Sequence, residues 1–209
     1  MTLVAISASY GAAGSRIGPA VAKRLGVTFI DRAIPMSAVP QLDMPPEEGE
    51  QGARGWLERI LRGFVGADVA VPGPVTSHAG EYTEEFRRRS EELLHRQAQR
   101  GDGVILGRAA VAVLREDPRV LRVRLDGPPE RRIEQAVRMF GAQREAAADA
   151  VRKLDRTHDL FLRQFYGVEI RDPSLYHLVI DSTALGVGAC VELIVAASRA
   201  LRVPAPAPA

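Results

Sequence analysis

Two groups of residues in this chain have the types and spacing to handle phosphate. The first is the run Ala8-Ser9-Tyr10-Gly11-Ala12-Ala13-Gly14-Ser15-Arg16. Set against the phosphate-loop pattern G-x-x-x-x-G-K-[ST], Ala8 takes the first glycine position and Ala13 the second. Gly14 stands where the lysine belongs, and Ser15 supplies the hydroxyl that would reach a Mg²⁺ ion. The lysine is therefore missing, and Arg16, one residue later, is the nearest cation. The second group is Arg152, Arg156 and Arg163. At about 100° per residue these fall within about 40° of one another on a helix, with Asp159 on the same face. Phosphoryl transfer calls for such an array, because charge spreads over the transferring oxygens and needs positioned cations.

Each group also has a plainer reading. The glycines of the first can serve only to let a strand and a helix pack closely. The arginines of the second can form a solvated face on which Asp155 and Asp159 pair with them at i,i+4, worth a few tenths of a kcal/mol each. Gly11, Gly14 and Gly18 also fit a dinucleotide-binding turn, with Asp31 spaced to grip a ribose hydroxyl. Against that, the next core strand does not come until Val104, too far on for a compact dinucleotide half.

The elements that must position these groups follow from periodicity. Leu3, Val4 and Ile6 suit a short strand buried on both faces, and Ile17, Val21 and Leu25 mark one stripe of a helix that packs back on it. A strand, a glycine-rich turn and a helix N-terminus leave several N–H groups unpaired, and the helix dipole adds partial positive charge there. Gly11, Ala12, Ala13, Gly14, Ser15 and Arg16 are therefore the expected anion site. Further strands are expected near residues 28, 104, 121 and 178, and VLRVRLDG alternates with period two. Helices are expected over Trp56–Phe64 and Thr83–Arg100, just after Arg108, from Pro129 to Gly141, over Gln143–Phe165 and over Val187–Leu201. Strands alternating with helices give a parallel sheet covered on both faces. The expected organisation is one domain over 1–203, with its core in 1–34, 101–141 and 173–203. Residues 35–100 and 142–172 interrupt that core, and 204–209 form a solvated, proline-rich tail.

Composition narrows the function without fixing it. The chain has 209 residues and a formal net charge of +2, with a pI of about 9.0. That charge is too mild to make nucleic acid the main partner, and aromatics at 5% give few stacking platforms. The single Cys190 excludes an internal disulfide, and no Cys/His cluster has zinc-ligand spacing. No signal-peptide pattern or membrane-length apolar run is seen, so a cytoplasmic location is expected.

Four stretches in order, ISASYGAAGSRIGPAVAKRLGVTFIDR, VILGRAAVAVL with RVRLDGPPERRIE, KLDRTHDLFLRQFYG and DPSLYHLVIDSTALG, resemble the cytidylate-kinase-like branch of the P-loop nucleoside monophosphate kinases. The resemblance implies a P-loop NTPase-type α/β fold: a five-stranded parallel sheet with an acceptor-binding insertion at 35–100 and a helical lid at 142–172. It implies transfer of the ATP γ-phosphoryl group to a nucleoside monophosphate, with CMP or dCMP the first choice, ATP and Mg²⁺ as cofactors, and Ser15 on the metal. Arg16 would stand in for the lysine, and Arg152, Arg156 and Arg163 would close over the transferring group. Asp31, Arg32 and Arg108, at the ends of core strands, would hold the acceptor. The expected partners are small-molecule nucleotides, with a homodimer left open and neither nucleic acid nor a membrane.

The resemblance is incomplete at two places. Cytidylate kinases proper carry Gly-Arg-Asp where this chain has Gly107-Arg108-Ala109, so the aspartate that helps read the acceptor is gone. The Walker lysine is also absent, although the resembling branch often has Gly-Gly-Arg there. Among the remaining polar residues, Arg87, Arg88 and Arg89 point three ways round a helix and read as solvated, and His158 reads as packed. Asp126, which ends the LDG strand, fits either a turn or a ligand-orienting role.

Overall fold

A computed structural model describes residues 3–31, 88, 91–92, 94–107 and 109–201. The chain divides into two compact units, Met1–Arg32 with Leu94–Ala209, and Ala33–Leu93. The five strands among the described residues belong to the first: β1 Leu3–Ala8, β2 Phe29–Asp31, β3 Gly103–Leu106, β4 Val120–Asp126 and β5 Leu178–Asp181. Its named helices are α1 Gly14–Leu25, α2 Ala110–Val113, α3 Pro129–Phe140, α4 Arg144–Tyr166 and α5 Val187–Ala200. In the second unit the described residues 88, 91 and 92 are helical, and Arg88 pairs with Glu92 at 3.1 Å. The expected helix over Trp56–Phe64 lies outside the described residues.

Every strand pairing is parallel, in the order β2-β3-β1-β4-β5. β1 is therefore flanked by β3 and β4, with Val4 opposite Val104 and Leu121. A dinucleotide fold would place β2 beside β1, so the β1–β3 pairing rules out the dinucleotide-turn reading of the glycines.

Alternate residues of β1 feed two cores. Val4 and Ile6 pack with Ile17 and Val21 of α1 and with Cys190 and Ile194 of α5. Leu3 and Ala5 pack with Val111 of α2 and Leu162 of α4 on the other face. With both faces covered, the strand has no polar side and reads as a near-continuous apolar run.

β4 departs from that rule. Leu121, Val123 and Leu125 face the α1/α5 core, as the alternation implies. The intervening Arg122 is half-buried and Arg124 is buried, although alternation in a half-exposed strand would put both in solvent, because the α2/α4 layer packs on that face. Arg122 donates to the carbonyls of Leu175 (2.8 Å) and Arg115 (3.0 Å). Arg124 is 5% exposed. One face of β4 is thus apolar, and the other carries the half-buried Arg122 and the buried Arg124.

The helix termini follow local chemistry. Pro129 opens α3, where its missing N–H costs nothing. Gly26, Gly141 and Gly167 end α1, α3 and α4 in the left-handed conformation. Between α4 and β5, the Asp172 carboxylate accepts from Ser174 N–H and caps the short 3₁₀ turn Pro173–Leu175. α3 and α4 pack on each other through Ile133, Ala136, Ala147 and Val151. That contact fixes α4 beside the C-terminal end of β4.

Candidate functional site: the β1–α1 loop and an arginine-lined cleft

The loop between β1 and α1 is held at its carbonyls. Arg132 Nη1 donates to the Tyr10 carbonyl at 3.2 Å, Gln135 Nε2 to that of Gly11 at 2.9 Å, and Ser182 Oγ to that of Ala12 at 2.8 Å. A peptide unit is planar, so fixing a residue's C=O also fixes the N–H of the residue that follows. Three side chains from outside the loop thereby aim the N–H groups of Gly11, Ala12 and Ala13. Ala12 N–H closes on Ser9 O at 3.0 Å. Among the described residues, the N–H groups of Gly11, Ala13, Gly14 and Ser15 have no backbone acceptor.

The backbone conformation here is specific. Gly11 has φ +80°, and a Cβ on it would lie 2.3 Å from the Arg132 carbonyl oxygen, so only glycine fits. Ala13 adopts φ 54° and, among the described residues, is the sole non-glycine with positive φ. A left-handed alanine costs about 1–2 kcal/mol, and such strain collects at ligand sites. A Cβ on Gly14 would meet Ala8 Cβ at 2.5 Å. The close-packing reading of the glycines is therefore correct for Gly14, while Gly11 is required by its torsion angle as well. Unpaired amides at the first turn of a 12-residue helix form an anion cradle. Ser15 and Arg16 are both exposed on that turn, and Arg16 N–H donates to Ala13 O at 3.0 Å.

Beside the loop lies a cleft of about 680 Å³ between the end of β4, the start of α3, and α4 with the segment after it. Its lining includes Arg124, Arg132, Arg152, Arg156, Arg163 and Arg171. The three arginines expected to share a helix face do so on α4 and all line this cleft, as does Asp159. Their pairing differs among them. Arg152 is bonded to Asp149, and Arg163 lies 3.4 Å from Asp159 and 3.1 Å from Glu169. Arg156 has no carboxylate within pairing distance among the described residues. His158, expected to be packed, is buried in the cleft wall.

The plainer reading, in which Asp155 and Asp159 pair with arginines at i,i+4, holds for Asp159 with Arg163 but not for Asp155. Asp155 instead receives a two-pronged bond from Arg132 of α3, Nη1 to Oδ1 at 3.0 Å and Nη2 to Oδ2 at 2.6 Å. Arg132 is 3% exposed. Its planar fork meets both carboxylate oxygens at once, the geometry of a strong charge-assisted pair.

At the cleft floor, Arg124 donates to Ser7 Oγ (3.0 Å), Ser9 Oγ (2.7 Å) and Asp126 Oδ2 (3.0 Å). Asp126 is thus more than a turn residue, since it sits between two arginines. Its Oδ1 is buried without a hydrogen bond, 3.4 Å from Arg132 Nε. Burial favours the neutral acid, but Arg124, the Gly127 N–H and Arg132 outweigh it and hold the carboxyl below its ordinary value of 3.8. A carboxyl depressed in the folded state stabilises the fold fully above about pH 4, and that contribution is lost as pH falls through the lower folded value. The urea midpoint should therefore drop below about pH 4, and Asp126→Asn should make that drop smaller. An equal acid-side drop in the variant would contradict this.

Asp31 ends β2 opposite Leu106. Arg32 and Arg108 lie outside the described residues, so the expected acceptor group is placed only through the ends of β2 and β3. Neither Arg16 nor the loop lines the cleft itself; the two meet through Arg124, which bonds Ser9, and Arg132, which bonds Tyr10. Sequence reasoning missed Arg124, Arg132, Gln135 and Ser182. Of these only Arg124 left a signal, being with Arg122 one of two cations set among the apolar residues of β4.

The site can be tested for the groups the fold implies. Among the described residues no cluster of three or more His, Cys, Asp or Glu could hold a metal ion. Mg²⁺ in phosphoryl transfer needs no such cage, because substrate phosphates and water supply most of its ligands. Free amides and a helix N-terminus fit a phosphate, and the exposed Ser15 hydroxyl fits the single protein oxygen such an ion requires.

Comparison with known proteins agrees with the architecture. The model of the cytidylate kinase-like family matches residues 3–184. An uncharacterized protein from Eubacterium ventriosum ATCC 27560 superposes with a TM-score of 0.62 at 11% identity, covering 95% of this chain and 99% of that one. A gluconokinase from Sinorhizobium meliloti 1021 gives 0.51 at 13% identity, covering 96% and 93%. No curated protein matches the sequence. Sheet order, loop and neighbours together make the fold P-loop NTPase-type. No helix among the described residues is long and apolar enough to cross a membrane.

Proposed function

The chain belongs to the cytidylate kinase-like family, and from that membership and the geometry of its loop and cleft we propose that it transfers the γ-phosphoryl group of ATP to a nucleoside monophosphate. The observation that carries the reading is the pairing of unengaged amides at Gly11, Ala13, Gly14 and Ser15 with the adjoining arginine-lined cleft. The amides would cradle the donor phosphates. Ser15 would hold Mg²⁺, which when bound neutralises phosphate charge and aligns the transferring group. Arg16 would supply the charge that the missing lysine leaves out. Arg156, with Arg152 and Arg163, would contact the equatorial oxygens as they gain charge. Closure of residues 142–172 as a lid would exclude water and suppress wasteful hydrolysis. Residues 35–100 would bind the acceptor, with Asp31, Arg32 and Arg108 around its phosphate. CMP and dCMP are the first acceptors to try, and Ala109, where cytidylate kinases proper carry aspartate, makes a broadened or shifted base preference the expected outcome.

The test is coupled turnover with a panel of nucleoside monophosphates in the presence of ATP and Mg²⁺. ADP formation that depends on one or more of them is expected. Gluconate belongs in the same panel, because a superposable relative is a gluconokinase. No acceptor-dependent ADP from folded protein would remove the kinase reading. Gly14 in place of lysine and Ala109 in place of aspartate favour one other reading, a nucleotide-binding regulator that has lost transfer. Calorimetry separates the two, since that protein would bind ATP and turn over none.

A further inference from the structure

We propose that Arg132 is a positioning residue that couples α4 to the phosphate loop, with Asp155 as the α4 side of the coupling. One planar guanidinium serves three elements at once. Its Nη1 donates to the Tyr10 carbonyl at 3.2 Å, its Nε to the Gly127 carbonyl at 2.9 Å, and its Nη1 and Nη2 to the Asp155 carboxylate at 3.0 and 2.6 Å. The main chain at Arg132 also abuts the loop, since its carbonyl oxygen lies 2.3 Å from where a Cβ of Gly11 would be.

A guanidinium is rigid and planar, so it cannot follow one partner while staying aligned with the others. If Asp155 shifts or loses its charge, the fork turns and the Tyr10 carbonyl loses its donor. The Tyr10 carbonyl and the Gly11 N–H share one peptide plane, so the aim of that unengaged amide depends on a carboxylate that touches no loop atom. Asp155 sits on the helix that carries Arg152, Arg156 and Arg163, so a shift of this helix is transmitted to the cradle. That the cradle holds phosphate rests on the function proposed above. The mechanical link does not.

Charge and coupling predict opposite signs. Asp155 and Asp159 both line a cleft rich in arginine. Removing either negative charge should, by electrostatics alone, tighten a polyanion by about threefold at low salt. Coupling predicts that Asp155→Asn weakens inorganic tripolyphosphate and ATP by about tenfold, one misaligned charge-assisted bond being worth about that factor, while Asp159→Asn tightens them. The second readout needs no ligand. Ala12 N–H donates to Ser9 O and Arg16 N–H to Ala13 O, so their hydrogen exchange reports loop shape. Both should exchange about tenfold faster in Asp155→Asn, with Ile194 in the core of α5 unchanged, a local effect that general destabilisation would not give.

Asp155→Glu keeps the charge balanced in case the asparagine variant fails to fold, and should raise the same two exchange rates by a smaller factor. Tighter tripolyphosphate binding in Asp155→Asn, or wild-type exchange at Ala12 and Arg16 in folded Asp155→Asn or Asp155→Glu, would overturn the proposal. If the wild-type protein binds neither tripolyphosphate nor ATP, the phosphate reading fails, and exchange alone decides the coupling.

Discussion

Arg124→Leu is expected to lower the stability of the protein by about 3 kcal/mol, the lower end of the range for breaking a buried ion pair. The substitution nearly keeps the side-chain volume, so the loss comes from what the guanidinium satisfies. It holds Ser7, Ser9 and Asp126, and without it Asp126 keeps the Gly127 N–H and Arg132 at 3.4 Å. That remaining cation, and the exposure of a third of the Asp126 side chain (33%), place the estimate at the low end. For a chain of this length the loss corresponds to about 6–12 °C in melting temperature. Arg124→Lys keeps the charge but not the fork, and should cost about 1 kcal/mol, the worth of the bonds it cannot make. Thermal melts of the three proteins check this, and equal stability of Arg124→Leu and wild type would show that the cation is not part of the fold's support.

Arg156→Ala is expected to cut kcat by about 10²–10³ while changing KM little, the loss seen when one preorganised donor to a transition state is removed. Arg152 is tied to Asp149, and Arg163 lies against Asp159 and Glu169. Arg156 is exposed on the same helix with no carboxylate partner among the described residues, so it has least to give up on meeting a phosphoryl group. Arg152→Ala and Arg163→Ala should each cost less, because each arginine is already held by a carboxylate and must be drawn away from it to meet a phosphoryl group. Steady-state kinetics under saturating ATP measure the ranking. A rise in KM alone in Arg156→Ala would move Arg156 from the transferring group to ground-state binding.

The parts of this protein that were legible in the sequence are those set by local pattern. β1, the glycine loop, α1 and the helix from Pro129 to Gly141 follow from apolar spacing, proline at a helix start and glycine at its end. The common face of Arg152, Arg156 and Arg163 follows from helix periodicity alone. What sequence did not reveal is set across long separations. Arg132 and Tyr10 are 122 residues apart, and Ser182 and Ala12 are 170 apart. No periodicity links such pairs, because they meet only when β4 comes to lie beside β1 and β5 beside β4. Asp155 illustrates the same limit: its i,i+4 neighbours were plausible partners, yet a buried fork on α3 holds it instead. Ala13 illustrates another, since nothing in an alanine forecasts positive φ until the loop's three carbonyls are tied down.

The most direct test of the account is a titration of the ¹⁵N-labelled protein with ATP and Mg²⁺, following backbone amides. The account predicts that the largest proton shifts fall on Gly11, Ala13, Gly14 and Ser15, the amides without a backbone acceptor, with the arginine side chains of α4 shifting as ATP saturates. Saturable binding that leaves those four amides unmoved would contradict it.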